Sequence, residues 1–567
     1  MAGVLSPGSA LAADVVFTGG AVHTVDGADT ITEGLAVRGG RVLAAGDAAM
    51  VARHVGRDTR VVDLLGRSLV PGFIDNHIHL ANATQRAWVD VSHPAVGAVA
   101  DLVARIAARA SVTPTGAWVL ARGFDTERLA ERRMPTRHDL DAATTAHPVG
   151  VANREGMGWT FNTAGLRAIG VTDTTTDVPG GPMVRDDRGR PLGPMWDNAR
   201  TAFVYPNLPF PTVDELADAY AGLALDLAAV GVTTAFEAAY RRPADAAAWR
   251  LLHARSAPTL RVVLGPYPLH GDRWDEYGTA SAVVASGLAT GFGDPWLRLG
   301  AVQVGVDGGI LGRTAALDAP YAGVVGGASL GSFRASQATL AAAIARASGS
   351  GWQVALVCHG DAGIERALAA LEEGLPVGTG SGRRSRLEHA YLWNPRLMDR
   401  AAGLGIVWNT QPAMLGVAGP GATLDAWGDR ARYAFPFRSL HERGVTISSG
   451  SDWGVGPFDP IAAFASLVTH RFEPTDGGAA FNPGETLTVS QALRVLTRGG
   501  AQAGFLEDDI GSLVPGMRAD LAILDADLRA TPPDETRVVR VDETWVDGRR
   551  VFQREAGPPT KFQLSAG

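Results

Sequence analysis

LVPGFIDNHIHL, residues 69–80, is an apolar run that closes on His77-Ile78-His79. Alternate side chains on a strand face the same side, so a strand here projects both imidazoles together. A His-x-His arm of that kind chelates zinc-like metals, but alone the pattern arises often by chance. Its weight comes from what the rest of the chain places at comparable positions.

Three later apolar runs end in the same way. WQVALV closes on Cys358-His359-Gly360-Asp361, SRL on Glu388-His389, and VTISSG on Ser451-Asp452-Trp453. Further strand-like runs are GVTTAFEA, TLRVVLGPY, RLGAVQVGVDGG and GIVWNTQP, and Ala-rich helical runs such as VDELADAYAGLALDLAAV, QATLAAAIARASGS and AGIERALAALEEG lie among them. Eight strand–helix units predict an α/β fold, a (β/α)8 barrel of the TIM type, with reactive residues where strands meet their following loops. On that fold His77, His79, His359 and Asp452 come from the first, fifth and eighth strands and form a metal tetrad with room for water. His389, from the sixth strand, lies beside it.

Both chain ends read differently. DVVFTGG, AVHTVDG and LAVRGGRVLAAG near the start, and DLAILDADL and TRVVRVDETWVDGRRVF near the finish, are short β-branched runs broken by turn residues. They predict one composite β-sandwich from residues 1–68 plus 508–567, flanking a barrel over 69–507. Residues 82–207 are too many for a simple strand-to-helix connection, and they read as an insertion covering the barrel mouth as a substrate lid.

Composition narrows the function classes. The 567 residues are 46% hydrophobic and 19% charged, as a well-buried globular protein requires. The formal net charge of −8, with no basic stripe, argues against nucleic acid as the partner and leaves a small-molecule substrate. No run reaches the ~18 apolar residues of a membrane span. Cys358 is the single cysteine, so no intrachain disulfide forms and a reducing, cytoplasmic setting is expected. Strand alternation turns Cys358 away from His359, which reads as packing. The N-terminus lacks a basic segment and a sustained apolar segment and reads as a leader into a strand, without a signal peptide. Oligomeric state is left open, a homodimer being one alternative.

The words PGFIDNHIH, VDGGILGRTAAL, HGDAGIERAL, RLEHAYL, SSGSDWGVGPFDP and GSLVPGMRADLAILDADL, in this order, resemble the amidohydrolase superfamily, in particular its YtcJ-like branch, which includes N-substituted formamide deformylases. The resemblance covers nearly the whole chain. It implies a barrel with a composite β-sandwich, a divalent metal and a site built from the His-x-His pair, two further histidines and an aspartate. The reaction it implies is hydrolysis of a non-peptide C–N bond in an amide, formamide or cyclic amide. Zinc is the expected metal, with manganese or iron as alternatives.

The chain also departs from that pattern. Many relatives carry a carbamylated lysine on the fourth strand that bridges two metals. Here the matching position is Gln303, and the only lysine is Lys561. One metal is therefore favoured over two; a second would need a bridge such as water or Glu237. Asp452 is expected as the base, His389 as the group that polarises the carbonyl, and Gln303 as a hydrogen-bond donor to substrate. Glu237, Trp196, Asp307 and Trp453 are candidate substrate contacts, although aromatic residues are often simply core and Asp307 reads equally as a loop former. Gly156-Met157 and Asp197 differ from the residues usual in relatives and fall where substrate would sit. Gln303 keeps a second reaction class open, deamination at a mononuclear site. A metal-assisted lyase or isomerase, and a non-catalytic binding protein, are the remaining alternatives.

Overall fold

The parallel strands at the centre of the molecule are, in chain order, β1 (Phe73–Ile78), β2 (Val232–Tyr240), β3 (Arg261–Pro266), β4 (Val302–Gly305), β5 (Val354–Cys358), β6 (Arg386–His389), β7 (Val407–Thr410) and β8 (Thr446–Ser449). The computed structural model describes residues 11–555 apart from 127, 155, 157, 179–180, 197, 271–272, 275–277, 311, 323–328, 377–379, 418–423 and 472–479. Met157, Asp197 and Lys561 lie outside the described residues.

Strands β1 to β3 form one parallel sheet, extended by Leu297–Leu299, and β4 to β8 form a second in sequence order. The two sheets meet at both edges. Leu297–Leu299 runs through Gly300 and Ala301 into β4, and the Gly300 amide donates to Leu264 of β3 at 2.8 Å. At the other edge, the Asp452 amide just beyond β8 donates to the His77 carbonyl of β1 at 2.7 Å. Every run expected to be a strand contains one. The strands are buried on both faces, which is why they read as near-continuous apolar runs.

The Ala-rich runs are helices Val213–Ala229, Gln337–Gly349 and Asp361–Gly374. Thr212 starts the first by accepting from the Glu215 amide, and Glu215 returns a carboxylate to the Thr212 amide. Leu216, Tyr220, Leu223 and Leu227 then face the ring and share one core with Val232, Val262 and Val302.

The terminal strands form one mixed sheet of eight strands. Ser68–Pro71 lies inside it, parallel to Val15–His23 and antiparallel to Leu521–Leu524, so this sheet extends past the boundary expected after residue 68. Two stacked sheets were expected; the strands are one hydrogen-bonded sheet that curls over itself. Phe17 and Trp545 have ring centroids 5.2 Å apart with two strands between theirs in the sheet order, where a flat sheet would separate them by about 14 Å. Arg261 of β3 joins this sheet to the ring through Asp520, at 2.7 and 3.0 Å, and Asp547, at 2.6 Å.

The insertion is a unit with its own six-stranded sheet, running from Val89–Asp90 to Pro191–Trp196 in sequence. It has two cores of its own, one around Leu102, Ile106 and Phe124 and one around Trp159, Phe161 and Met195. Among the described residues no helix is long and apolar enough to cross a membrane.

Candidate metal centre and active-site cavity

A cavity of about 1230 Å³ opens where the ring strands end. His77, His79, Glu237, His359, His389 and Asp452 line it from the ring, and Trp88, Arg122, Trp159, Arg200 and Tyr205 line it from the insertion and the segment that follows. The insertion thus walls the cavity mouth.

One ligand atom from each of His77, His79 and Asp452 falls within 4.8 Å of the others. Asp452 Oδ1 lies 3.1 Å from His79 Nε2 and 3.8 Å from His77 Nε2. The Asp452 backbone is left-handed, with φ 51°, and this turn swings its carboxylate back over the end of β1. His359 and His389 face the same floor, their rings stacked at 4.4 Å, and His77 meets His389 edge-on at 4.7 Å.

Three imidazoles have their Nδ1 atoms tied. His77 Nδ1 is 2.6 Å from Glu388 Oε2, His359 Nδ1 is 3.2 Å from Asp307 Oδ1, and His389 Nδ1 is 2.7 Å from Gln411 Oε1. Each acceptor is an oxygen, so each ring carries its proton on Nδ1 and presents Nε2 as a lone pair. Orientation of a histidine by an oxygen acceptor behind it is the usual support of a metal ligand. His77, His79 and the Asp452 carboxylate together fit a divalent cation, while His359, expected as a fourth ligand, stands beside that group and outside it.

Electrostatics follows from burial and crowding. Burial pushes the Asp452 carboxyl up, but its hydrogen bond to His79 and the surrounding imidazoles outweigh this and hold it below the usual carboxylate range. Burial likewise opposes charge on His79, yet hydrogen bonds to Asp452 and Glu237 push it up to about 10. His389 is driven well below its ordinary value, first by burial and then by His359 and His77. Burial raises the Tyr205 phenol, and the positive charges of Arg200, Arg241 and His79 more than reverse this.

The other expected residues sit as follows. Glu237 lines the cavity, 3.8 Å from His79, and accepts from the Ala81 and Ala239 amides at 3.0 and 2.9 Å. Asp307 is fully buried beneath His359, where it accepts from the amides of Ala316, His359 and Gly360. It braces the loop that carries His359 and is outside the cavity lining. Gln303 is also outside the lining: it pairs with Ala355 in β5, one inward-facing position deeper than the cavity-lining Val357. Trp196 pairs with Gly158 inside the insertion sheet, and Trp453 is buried edge-on against Phe458. Neither lines the cavity. Cys358 is buried in the core, its thiol pushed up by burial.

The sequence reading gave no role to Glu388, Gln411, Tyr391 or Arg241. Glu388 is fully buried, with Arg386 Nε at 2.7 Å and Asn409 Nδ2 at 2.6 Å completing its shell around His77. The available signal was an inward Arg-x-Glu in SRLEH, since an arginine and a glutamate on one buried strand face have to pair.

Over residues 60–552 the chain matches the profile of the Amidohydrolase family, Amidohydro_3. It is 26% identical to YtcJ of Bacillus subtilis (strain 168), a protein assigned provisionally as an amidohydrolase, covering 95% of this chain and 99% of that one. It is 28% identical to the N-substituted formamide deformylase of Arthrobacter pascens, covering 95% and 98%. A solved metal-dependent hydrolase of uncharacterised function from Pyrococcus furiosus superposes with a TM-score of 0.68 at 23% identity, covering 92% of this chain and 99% of that one. A profile match across most of the chain, carried by strands that bring two histidines and an aspartate to one point, makes this protein a member of the amidohydrolase family.

Proposed function

We propose that the protein hydrolyses a non-peptide C–N bond, in an amide, formamide or cyclic amide, at the open end of a closed (β/α)8 barrel. The observation that carries this reading is the convergence of His77, His79 and Asp452 ligand atoms within 4.8 Å on the cavity floor. One divalent cation, zinc in preference to manganese or iron, would be held by His77, His79, His359 and Asp452 and would supply a Lewis acid that brings the pKa of water toward ~7.

The chain's own groups do the rest. Asp452 takes the proton of the attacking water and returns it to the leaving nitrogen. His389 donates Nδ1–H to Gln411, so its Nε2 is an acceptor that orients the water. The carbonyl-polarising role expected of it would need an imidazolium, which burial and two neighbouring imidazoles oppose. Glu237 holds His79 from the opposite side to Asp452. The insertion walls exclude bulk water and select substrate shape.

Deamination rested on Gln303 as a substrate contact, and its position outside the cavity lining withdraws that support. The partner we expect is a small molecule in the cytoplasm. The test is to strip the purified chain of metal, restore zinc, manganese or iron, and assay N-substituted formamides first, then other amides and cyclic amides. One cation per chain, with an amine and a carboxylate as products, is the expected result. Ammonia release would instead indicate a deaminase, a rearranged carbon skeleton a lyase or isomerase, and failure to take up any cation a binding protein.

A further inference from the structure

We propose that Asn82 is a further catalytic residue, donating Nδ2–H to the carbonyl oxygen of the substrate, and that Gln85 and Arg122 are positioning residues that hold its amide nitrogen toward the cavity. This rests on the hydrolase reading above and deepens it, by supplying the carbonyl donor that His389 does not provide.

The three side chains form one run of hydrogen bonds along the cavity wall. Asn82 and Gln85 belong to the short helix Leu80–Ala87, which continues directly from His79. Arg122 reaches them from the insertion strand Val119–Phe124. Arg122 Nη1 lies 3.1 Å from Gln85 Oε1, and Gln85 Nε2 lies 2.8 Å from Asn82 Oδ1. A guanidinium only donates, so the Gln85 atom that faces it is the oxygen. The Gln85 nitrogen then faces Asn82, and the Asn82 atom that receives it is again an oxygen. The orientation of both amides thus follows from Arg122. Left over is Asn82 Nδ2, which has no hydrogen-bond partner among the described residues.

Position gives this donor its role. The Asn82 backbone N–H donates to the His79 carbonyl at 2.9 Å, and Nδ2 lies against Gly454, two residues beyond Asp452. Gly454 has φ 114°, and any side chain there would collide with Nδ2. The donor therefore sits between the turns that carry His79 and Asp452, and Asn82, Gln85, Arg122 and Gly454 line the cavity with both. Two other groups on that floor are committed: Tyr391 donates to Gln411 at 2.6 Å, and His389 presents a lone pair. Charge grows on the carbonyl oxygen as water adds to the carbon, and a fixed amide N–H beside the metal centre suits that oxygen.

Two exchanges at position 85 separate this role from a structural one. Gln85→Glu keeps an oxygen for Arg122 and offers a second to Asn82, whose amide must turn over and present Oδ1 to the cavity. Gln85→Met loses both bonds and leaves the amide unfixed. With metal restored and the best-cleaved amide as substrate, kcat should fall from the natural chain to Gln85→Met to Gln85→Glu. The last should be down about 10²–10³-fold, as should Asn82→Ala. A residue that only supported the fold would reverse the two, since glutamate keeps the bond to Arg122. A second readout needs neither metal nor turnover: calorimetric binding of N-formylphenethylamine and its thioformyl counterpart to the metal-free, full-length protein. Sulfur is the poorer acceptor, so the preference for the oxygen compound should shrink about threefold to tenfold in Asn82→Ala and Gln85→Glu. A folding failure in one of these leaves the other to decide. No oxygen preference in the natural chain, a preference and kcat untouched in Asn82→Ala, or Gln85→Glu at least as active as Gln85→Met overturns the proposal. An oxygen preference lost in the variants, with no amide cleaved by the metal-loaded natural chain, leaves the Asn82 contact standing and sinks the hydrolase reading. Cleavage by the natural chain with unaltered variants does the reverse.

Discussion

Glu388 stands behind His77 with both carboxylate oxygens in use, one toward the imidazole and one toward Arg386. Glu388→Gln keeps the shape but leaves the Arg386 guanidinium buried without a counter-charge, a loss of about 3–5 kcal/mol. It also loosens the His77 ring, and cation affinity should fall about 10–100-fold. Chemical denaturation and chelator competition measure the two effects, and an affinity equal to that of the natural chain would remove Glu388 from its supporting role. Asp452→Asn tests the residue as base and as ligand together, without backbone strain, because asparagine tolerates the left-handed backbone found there. Turnover should drop by about 10²–10⁴ with the melting temperature retained; near-normal turnover would refute that assignment. The metal arm was legible in the sequence because a His-x-His pair at a strand end turns both rings the same way, and His77 and His79 both line the cavity. Strict alternation would send Glu388 and His389 to opposite faces, yet Glu388 reaches His77 while His389 reaches the cavity. Positive φ angles of 66° at His389 and 45° at Ala390 break the alternation, and residue types do not report that turn. Gln303 stands on the expected strand but below the cavity lining, since a strand's pattern says which way a side chain faces and nothing about how far it lies from the rim.

Among the elements, the curled terminal sheet carries a titratable group of its own. His23, at the end of Val15–His23, is buried with Nε2 3.2 Å from Ser68 Oγ, and burial pushes its pKa down to about 4. The folded chain therefore binds this proton less readily than the unfolded chain, so stability rises with pH between about 4 and the ordinary histidine value of 6.5. Acidification from pH 7 to 4 should cost about 3 kcal/mol through this residue alone. His23→Asn should flatten that part of the stability profile; a slope unchanged in the variant would place the acid sensitivity elsewhere. Ring strands and their helices were legible because apolar runs, Ala-rich periodicity and caps such as Thr212 agree with one another. The insertion was legible only by its length. Its strands pair partly out of sequence order within a sheet of their own, and local patterns carry no information on such partners.

At the scale of the whole molecule, ring and terminal sheet are joined through Arg261, which is stacked on Trp296 at 4.3 Å and shared by Asp520 and Asp547. Asp520→Ala removes two of the charged contacts at a buried guanidinium and should destabilise the chain by about 3–5 kcal/mol. Scanning calorimetry reads the result, and a variant that melts like the natural protein would show that this junction does not couple the two parts. The placement of Ser68–Pro71 has a further bearing, on how the molecule comes to be made. That strand runs through Gly72 straight into β1 and its histidines, and the Gly72 amide is held by the Asp520 carbonyl at 2.8 Å. Its antiparallel neighbour, Leu521–Leu524, leaves the ribosome hundreds of residues later. Throughout synthesis the early strand waits with an open edge, and pairing across such a span is slow and exposed to aggregation. The strand that leads into the reactive centre therefore gains its antiparallel neighbour only after translation has passed residues 521–524.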